Sequence, residues 1–541
     1  MGAIFSLLRD TLDMVGLVLV SIGESNAIFV DALQRIRSPR LPATNPTKAF
    51  WQEKPPFPDL VNVQSKQLPA LADIVIIGSG LSGASIAHTI LHESYAMGVP
   101  RRVTILEGRT VCSGATGRNG GHIKASPHIE YAKLKKRFGA ESAKKMVSFM
   151  MMHLPLLLDL IKREGHEISE AREVLAVDAF MEPNMLLKAR EMIEVLRADL
   201  PDLAERITVL DAELAQKDYG FSDHCVGAIS YPAGAMWPYR LVTSIYNSLL
   251  STFPGEFSIE TGTMVENIQP TRSTETPFML VTSRGEILAA HVVHASDAFA
   301  TNLVPGLKEK LFPIRGHMSA QRPGKAFPRH HGDISWAIVG KSDYEYVTQR
   351  PGLPNMEDGI GGEIMIGGGT VRADDGILGE VGQWDDNKTV YAIGAYLGGI
   401  LPLAFNQHWW GDDAEGSRVK GLWTGCMGFT ADMLPLVGKL SPSLTGRPVL
   451  ATKTGSNSTC VEKNMPEPAE WISAGFNGSG MVLSWLSGVA TGLMIVGREH
   501  VESKGEPGRP QGAMADWFPK EFACSATRVS QQSVYKLSKL A

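Results

Sequence analysis

Gly78, Gly80 and Gly83 stand in a G-x-G-x-x-G turn, and Glu107 closes the next apolar run downstream. Small residues at that spacing let the chain turn sharply while its N–H groups face an anion. Gly78 allows the turn, Gly80 lets backbone donors approach a pyrophosphate, and Gly83 lets a helix lie close to a strand. Ser79, Leu81 and Ser82 complete the turn and begin that helix, whose N-terminus adds positive potential. Glu107 is suited to accept hydrogen bonds from ribose hydroxyls. The chemistry implied is capture of a dinucleotide. With 55 glycines in the chain, a bare match arises easily by chance as a structural turn. Its setting carries the reading.

That setting runs from Asp73 to Glu107. Ile74 to Ile77 has strand composition, Ala84 to Glu93 reads as a helix, and Val103 to Leu106 reads as a second strand, so the turn sits inside a βαβ unit. A nicotinamide domain would continue into another helix after Glu107. Here Gly108 and Arg109 lead instead into Ser113, Gly114, Ala115, Thr116, Gly117, Arg118, Asn119, Gly120, Gly121 and His122. Such a loop can run beneath a large planar cofactor and bond its pyrophosphate, ribityl chain and ring edge. The bland alternative is a flexible surface loop. A third patch, Gly475, Phe476, Asn477, Gly478, Ser479 and Gly480, opens onto an apolar stretch read as a helix from Met481 to Val496. A glycine-fed helix start suits a partly negative ring edge. Glycines, and a helical part shorter than the ~20 residues a span requires, argue against a membrane segment there. The three patches favour FAD.

Together they resemble the FAD-dependent D-amino-acid oxidase superfamily, the group that includes sarcosine, glycine and γ-glutamylputrescine oxidases. The resemblance covers Ala72 to Arg498. It is carried by the runs Ser113 to Gly121, Gly428 to Gly438 and Ala474 to Gly478, and the lead-in from Asn45 to Pro58 is similar to fungal members. It implies an α/β fold, with a Rossmann-like FAD-binding domain interleaved with an α+β substrate domain built on a mixed sheet. It also implies a backbone contact from Val265 to the adenine. The implied activity is oxidation of a C–N bond in an amine or amino-acid-type substrate, with hydride passing to the flavin and electrons to O2 or another acceptor. The flavin performs the hard step, so no nucleophilic triad is required.

Several positions depart from the family pattern. Val482 stands where the sarcosine-oxidase branch has a lysine that grips a carboxylate. Met365 aligns with a second lysine linked there to oxygen activation, and Ser479 replaces a histidine of the turn. Arg315, His317 and His122, with Lys124, are the candidates for positive charge over the ring; the alternative for each is a structural role. Tyr344, Tyr346 and Trp336 either wall an apolar pocket or belong to the core. Some members link flavin to a cysteine, but that position falls on Gly425, one before Cys426, so non-covalent FAD is expected. Two other readings remain. One is an FAD/NADPH-dependent monooxygenase, although the surroundings of Gly332-Asp333 and Gly411-Asp412 do not match its Gly-Asp motif. The other is a non-catalytic FAD-binding scaffold.

The chain has 541 residues, 44% hydrophobic and 20% charged, with a net charge of -5. That composition suits a soluble two-domain globule and gives no reason to expect nucleic acid. Cys112, Cys225, Cys426, Cys460 and Cys524 are widely spaced, and no Cys/His cluster along the chain suggests a metal. The expected setting is reducing and cytoplasmic. Ser538-Lys539-Leu540 is followed by Ala541, so a peroxisomal address is not expected. The expected layout is an amphipathic helical extension (1–45), a linker (46–70), FAD-binding parts at 71–135, 226–300 and 421–500, substrate parts at 136–225 and 301–420, and a tail (501–541). Ile4, Leu8, Leu12, Val15, Leu19 and Ile22 recur at helical spacing, and Ile28, Phe29, Leu33 and Ile36 extend the pattern. This extension is expected to pack on its own globule, with a peripheral membrane or partner contact as the alternative. Met1 to Ser6 also fits the loose myristoylation pattern.

Overall fold

The computed structural model describes residues 26–328, 332–341, 344–352, 362–448 and 466–534. The N-terminal pattern up to Ile22, the myristoylation pattern, Cys460 and the C-terminal Ser538 to Ala541 lie outside them.

Two sheets organise the chain. The central strand of the first, Leu71–Ile77, pairs in parallel with Gly285–His294 on one side and Val103–Leu106 on the other. Phe257–Glu260 extends the sheet beyond Val103–Leu106, and Glu470–Ala474 extends it beyond Gly285–His294, both in parallel. Leu436–Lys439 closes that edge antiparallel. Val265–Pro270 and Phe278–Thr282 form a meander on Gly285–His294. Ile74, Val75 and Ile76 are fully buried, because a parallel sheet is covered on both faces and its strands read as continuous apolar runs.

The helix Leu81–Ala96 covers one face and lies against the helix Ser484–Ile495. Small residues set their separation. A Cβ added to Gly488 would meet Ser85 Cβ at 2.6 Å, and one added to Gly492 would meet Thr89 Cβ at 2.8 Å.

Among the described residues the second sheet has nine strands, Thr208–Leu210 pairing with Gly227–Ala235 off the main order. Its order begins Val419–Thr430, Leu311–Gln321, Ile364–Gly367, Tyr344–Gln349, Ile334–Val339, and continues through Arg172–Phe180 and Gly227–Ala235 to His122–Ile123. All pairs are antiparallel except Ile334–Val339 with Arg172–Phe180, so this is the mixed sheet the resemblance implies. One face looks toward the first sheet. The other packs on Tyr391–Ala404 and a cluster that includes Phe327, Trp336 and Phe405.

The structure differs from the sequence reading at several points. Gly227–Ala235 and most of Val419–Thr430, assigned to FAD-binding parts, belong to the second sheet. The apolar helix near the C-terminal end starts at Ser484 and not at Met481. Gly480–Val482 is a separate 3-10 turn, and Leu483 breaks the run with φ -132° and ψ -37°. Residues 46–70 are no free linker. Trp51 is buried against Trp237 with ring centroids 5.0 Å apart, and Gln52 Nε2 donates to the carbonyls of Cys112 and Gly117. The tail also packs, with Trp517 and Phe522 buried around Phe149. Residues 26–37 are helical, and Ala32, Leu33 and Ile36 bury against Phe312, Val381 and Ala431. Among the described residues, no helix is long and apolar enough to cross a membrane.

Candidate active site

A cleft of about 1360 Å³, its open mouth included, follows the C-terminal ends of the parallel strands. That edge is where open α/β sheets bind ligands. Three segments that are distant in sequence meet there. Gly78, Ser79, Gly80, Leu81 and Ser82 supply the turn and the helix start. Glu107, Gly108, Arg109, Gly114, Ala115, Thr116 and Asn119 form one wall, and Phe476, Gly478, Gly480 and Met481 stand at another. Val265 lines the cleft as well.

The helix start is prepared for an anion. Its N-cap is Gly80, which has no side chain to cap the first turn, and no acidic residue occupies that turn. Thr116 Oγ1 accepts from the Leu81 N–H at 3.0 Å, tying the loop to the turn. Glu107 is held in place by three donors: Ser79 Oγ at 2.6 Å, the Ser79 N–H at 3.2 Å and the Arg109 N–H at 2.9 Å. These features fit FAD. The pyrophosphate would lie at the Gly78–Ser82 turn and the ribose at Glu107. Deleting a charge-assisted acceptor costs about 1.5–3 kcal/mol. Glu107→Ala is therefore expected to weaken FAD binding roughly ten- to a hundredfold, at ~1.4 kcal/mol per decade. Titration of apoprotein with FAD, followed by flavin fluorescence, measures it.

Other expected cofactor residues lie off the cleft and have identifiable structural work. Gly83 faces the Gly78 carbonyl, where a Cβ would lie 2.2 Å from the oxygen. Ser113 accepts from Arg109 Nε. Arg118 is buried and donates to the carbonyls of Ser113, Thr47 and Thr424, so it clips the loop to the lead-in and to the second sheet. Gly120 makes room for Tyr346 and Met318. Gly121 takes a positive φ of 69° under the Met236 carbonyl. Gly475 donates to Asp297, Asn477 accepts from the Thr430 N–H, and the Ser479 N–H donates to the Phe476 carbonyl within the turn.

Charge over the ring needs correction. Arg315 does not point a free charge into the cleft, because Glu380 binds it through two bonds and Asp385 through a third. His317 Nε2 accepts from the Val390 N–H at 3.0 Å, and burial next to Arg315 holds its imidazole neutral, with a pKa lowered to about 4. His122 Nε2 lies 2.9 Å from Ser335 Oγ, and burial with Lys124 nearby lowers its pKa well below the usual value. Lys124 is bound to Asp178 and, at 3.2 Å, to Tyr344 Oη. Trp336 pairs across strands with Val347 and so faces away from Tyr346, on the far side of the second sheet.

Asp297 is among the cleft residues that the sequence pattern does not reveal. Asp297 follows the strand Gly285–His294 with a positive φ of 52°. Its carboxylate accepts from the N–H groups of Gly428 and Gly475, joining the second sheet to the glycine turn. Burial raises its pKa against the pull of those donors. The available signal was an acid at the C-terminal end of a parallel strand.

Cys426 lines the cleft and is cross-strand neighbour to Arg315. Burial, helped by Asp386, raises its thiol pKa, which removes the thiolate that attack on a ring would need. Gly425 faces the other way, with its Cβ position 3.2 Å from Arg118 Cβ. Acid or heat denaturation is expected to release intact cofactor. Yellow colour left on the precipitated chain, and absent in Cys426→Ser, would overturn this.

The fold and cleft define a two-sheet α/β protein of the dinucleotide-binding class. A family model described as FAD dependent oxidoreductase (DAO) matches residues 73–492. The chain belongs to that family, and FAD is accordingly its cofactor. Gamma-glutamylputrescine oxidoreductase of Escherichia coli (strain K12) is similar, at 22% identity over 251 residues, 44% of this chain and 53% of that protein. The match thus spans about half the length of that relative. Solved structures share the fold. Glycine oxidase from Geobacillus kaustophilus superposes with a TM-score of 0.54 at 17% identity, covering 83% of this chain and 98% of its own. L-amino acid deaminase from Proteus vulgaris, with its specific insertion sequence deleted, gives 0.56 at 15%, covering 87% and 98%. L-proline dehydrogenase from P. horikoshii gives 0.55 at 19%, covering 79% and 94%.

Proposed function

We propose that this protein oxidises a C–N bond of an amine or amino-acid-type substrate held between the FAD cleft and the second sheet. FAD, when bound there, would supply the hydride acceptor. The family match and the relatives named above support an amine or amino acid as the class. They also favour an oxidoreductase over a non-catalytic scaffold.

The observation that carries the finer reading is the apolar wall at the Met481 end of the cleft. Phe476 and Met481 line the cleft at that end, and Met318, Met365 and Val482 are buried side chains of the same extended core, on which half-buried Tyr346 packs. Tyr346 Oη reaches Met318 Sδ at 3.0 Å, so its hydroxyl is turned to that core. An unpaired carboxylate is costly to desolvate there, and Arg315 is already committed to Glu380 and Asp385. Such a wall favours a substrate whose body is apolar and whose nitrogen is uncharged.

Poor activity on sarcosine and glycine is therefore expected, with a preference for a larger primary or secondary amine such as a conjugated polyamine. Anaerobic bleaching of the flavin across a panel of amines, amino acids and polyamine conjugates tests this. Rapid bleaching by low-millimolar sarcosine would sink the substrate reading. Bleaching by none of the panel would count against C–N oxidation itself.

A further inference from the structure

We propose that His88, His92, Glu164 and His166 form a binding site for a divalent transition ion, with zinc the best match. It lies on the flank of the FAD-binding sheet, away from the cleft. His88 and His92 are one helical turn apart on Leu81–Ala96, and so share a face of that helix. Glu164 ends the helix Ala140–Glu164, and Gly165, in the left-handed conformation, turns the chain so that His166 comes back beside it. One donor atom each from His88, His92 and Glu164 lie within 4.8 Å of one another. No other group of three His, Cys, Asp or Glu residues converges in this way among the described residues.

The individual nitrogens support the assignment. His92 Nδ1 lies 2.9 Å from the His88 carbonyl, which can only accept, so the proton sits on Nδ1 and Nε2 carries a free lone pair. A backbone carbonyl orienting an imidazole in this manner is the usual outer partner of a histidine ligand. His88 Nε2 lies 2.9 Å and 3.1 Å from the two carboxylate oxygens of Glu164, so without an ion it carries the proton that a bound ion would displace. His166 is the independent observation. It is 1% exposed, its Nδ1 is bonded to Ser244 Oγ at 2.8 Å, and its Nε2 has no hydrogen-bond partner. That Nε2 lies 3.4 Å from Glu164 Oε2, beside the three donor atoms that converge. An orphaned buried imidazole nitrogen beside a carboxylate is what an ion between them would resolve.

Two imidazoles and one carboxylate that converge, with a third imidazole beside the carboxylate, are donors of the type zinc takes, at ~2.0–2.2 Å once the side chains close around it. His92 is exposed, which gives an ion an entry path. The ion would staple the FAD-binding helix to the long helix Ala140–Glu164 of the substrate part, two elements distant in sequence.

The test uses untagged, flavin-loaded protein, stripped with chelator, exposed to low-micromolar ZnCl2 and desalted. Metal content is read by plasma mass spectrometry and flavin by absorbance in the same sample. The expected result is close to one zinc per chain. His92→Ala and Glu164→Gln should each weaken zinc binding at least about tenfold with flavin content unchanged. His92 is exposed, so its replacement leaves the core intact. Retention far below one zinc per chain in the parent, or retention in both variants equal to the parent's, would overturn the site and show that the four side chains satisfy one another without an ion.

Discussion

Gly80→Val is expected to give a folded but colourless protein, and Gly83→Ala one that loses both colour and stability. The two glycines look alike in sequence but meet different neighbours. A Cβ on Gly80 would lie 3.0 Å from Thr116 Oγ1, a side-chain atom that can move, and the backbone there is extended and open to any residue. Valine at this position therefore spares the fold. Its methyl groups would fill the space through which a pyrophosphate reaches the helix start. A Cβ on Gly83 would lie 2.2 Å from the Gly78 carbonyl oxygen, which is backbone and cannot yield. The helix must lift from its strand, at an overpacking cost of ~1–3 kcal/mol or more. Gly255→Ala, whose Cβ meets nothing within 4 Å, is the control and should resemble the parent. Flavin-to-protein absorbance and the thermal midpoint separate the cases. Full flavin occupancy in a folded Gly80→Val protein would contradict the placement of the cofactor.

The second large effect is loss of stability in mild acid. Burial lowers the pKa of His128, His153, His291 and His317 to about 4, and each is an unpaired or accepting imidazole in the fold. His153 Nε2 accepts from the Leu486 N–H, and His317 Nε2 from the Val390 N–H. His291 Nδ1 accepts from Trp471 Nε1, and His128 has no partner at either nitrogen. Protonation breaks these bonds or buries a bare charge. Unfolded histidine titrates near 6.5, so the unfolded chain takes up protons first as pH falls. The stability these groups contribute is intact above about pH 6.5 and is lost progressively as pH falls to about 4. At ~1.4 kcal/mol per pH unit, each is worth up to about 3 kcal/mol. Four together are on the order of a whole domain's stability. The thermal midpoint should fall steeply between pH 6.5 and 4.5. A flat profile over that range would contradict the neutral, buried assignment.

Much of this was legible in the sequence because it is local. The βαβ unit announces itself through apolar runs that flank three glycines, and Ile74 to Leu106 folds as those runs dictate. The loop after Glu107 was recognisable from its composition alone. Contacts made at long range were not. Nothing near Arg315 in the chain reveals Glu380, and nothing near Trp336 says which face of its strand is covered. Asp297 was hidden because its partners, Gly428 and Gly475, come from segments far downstream. The His88 cluster was missed for the same reason. Glu164 and His166 stand more than seventy positions away from the helical histidine pair, so no spacing rule along the chain brings them together.

The order of strands in the first sheet also sets a timetable for synthesis. Leu71 pairs with Leu288, roughly 220 residues later, and His294 pairs with Ile472, which emerges later still. At ~5–20 residues per second, the central strand waits roughly 10–40 s on the ribosome for its first parallel neighbour on that side. During that interval Ile74, Val75 and Ile76 expose an unpaired apolar edge, the kind of surface that aggregates or recruits chaperones. Expression of this protein should therefore respond to chaperone supply and to slow growth temperature more than its composition suggests. Splitting it anywhere between Glu107 and Glu470 should leave neither piece able to close the sheet alone.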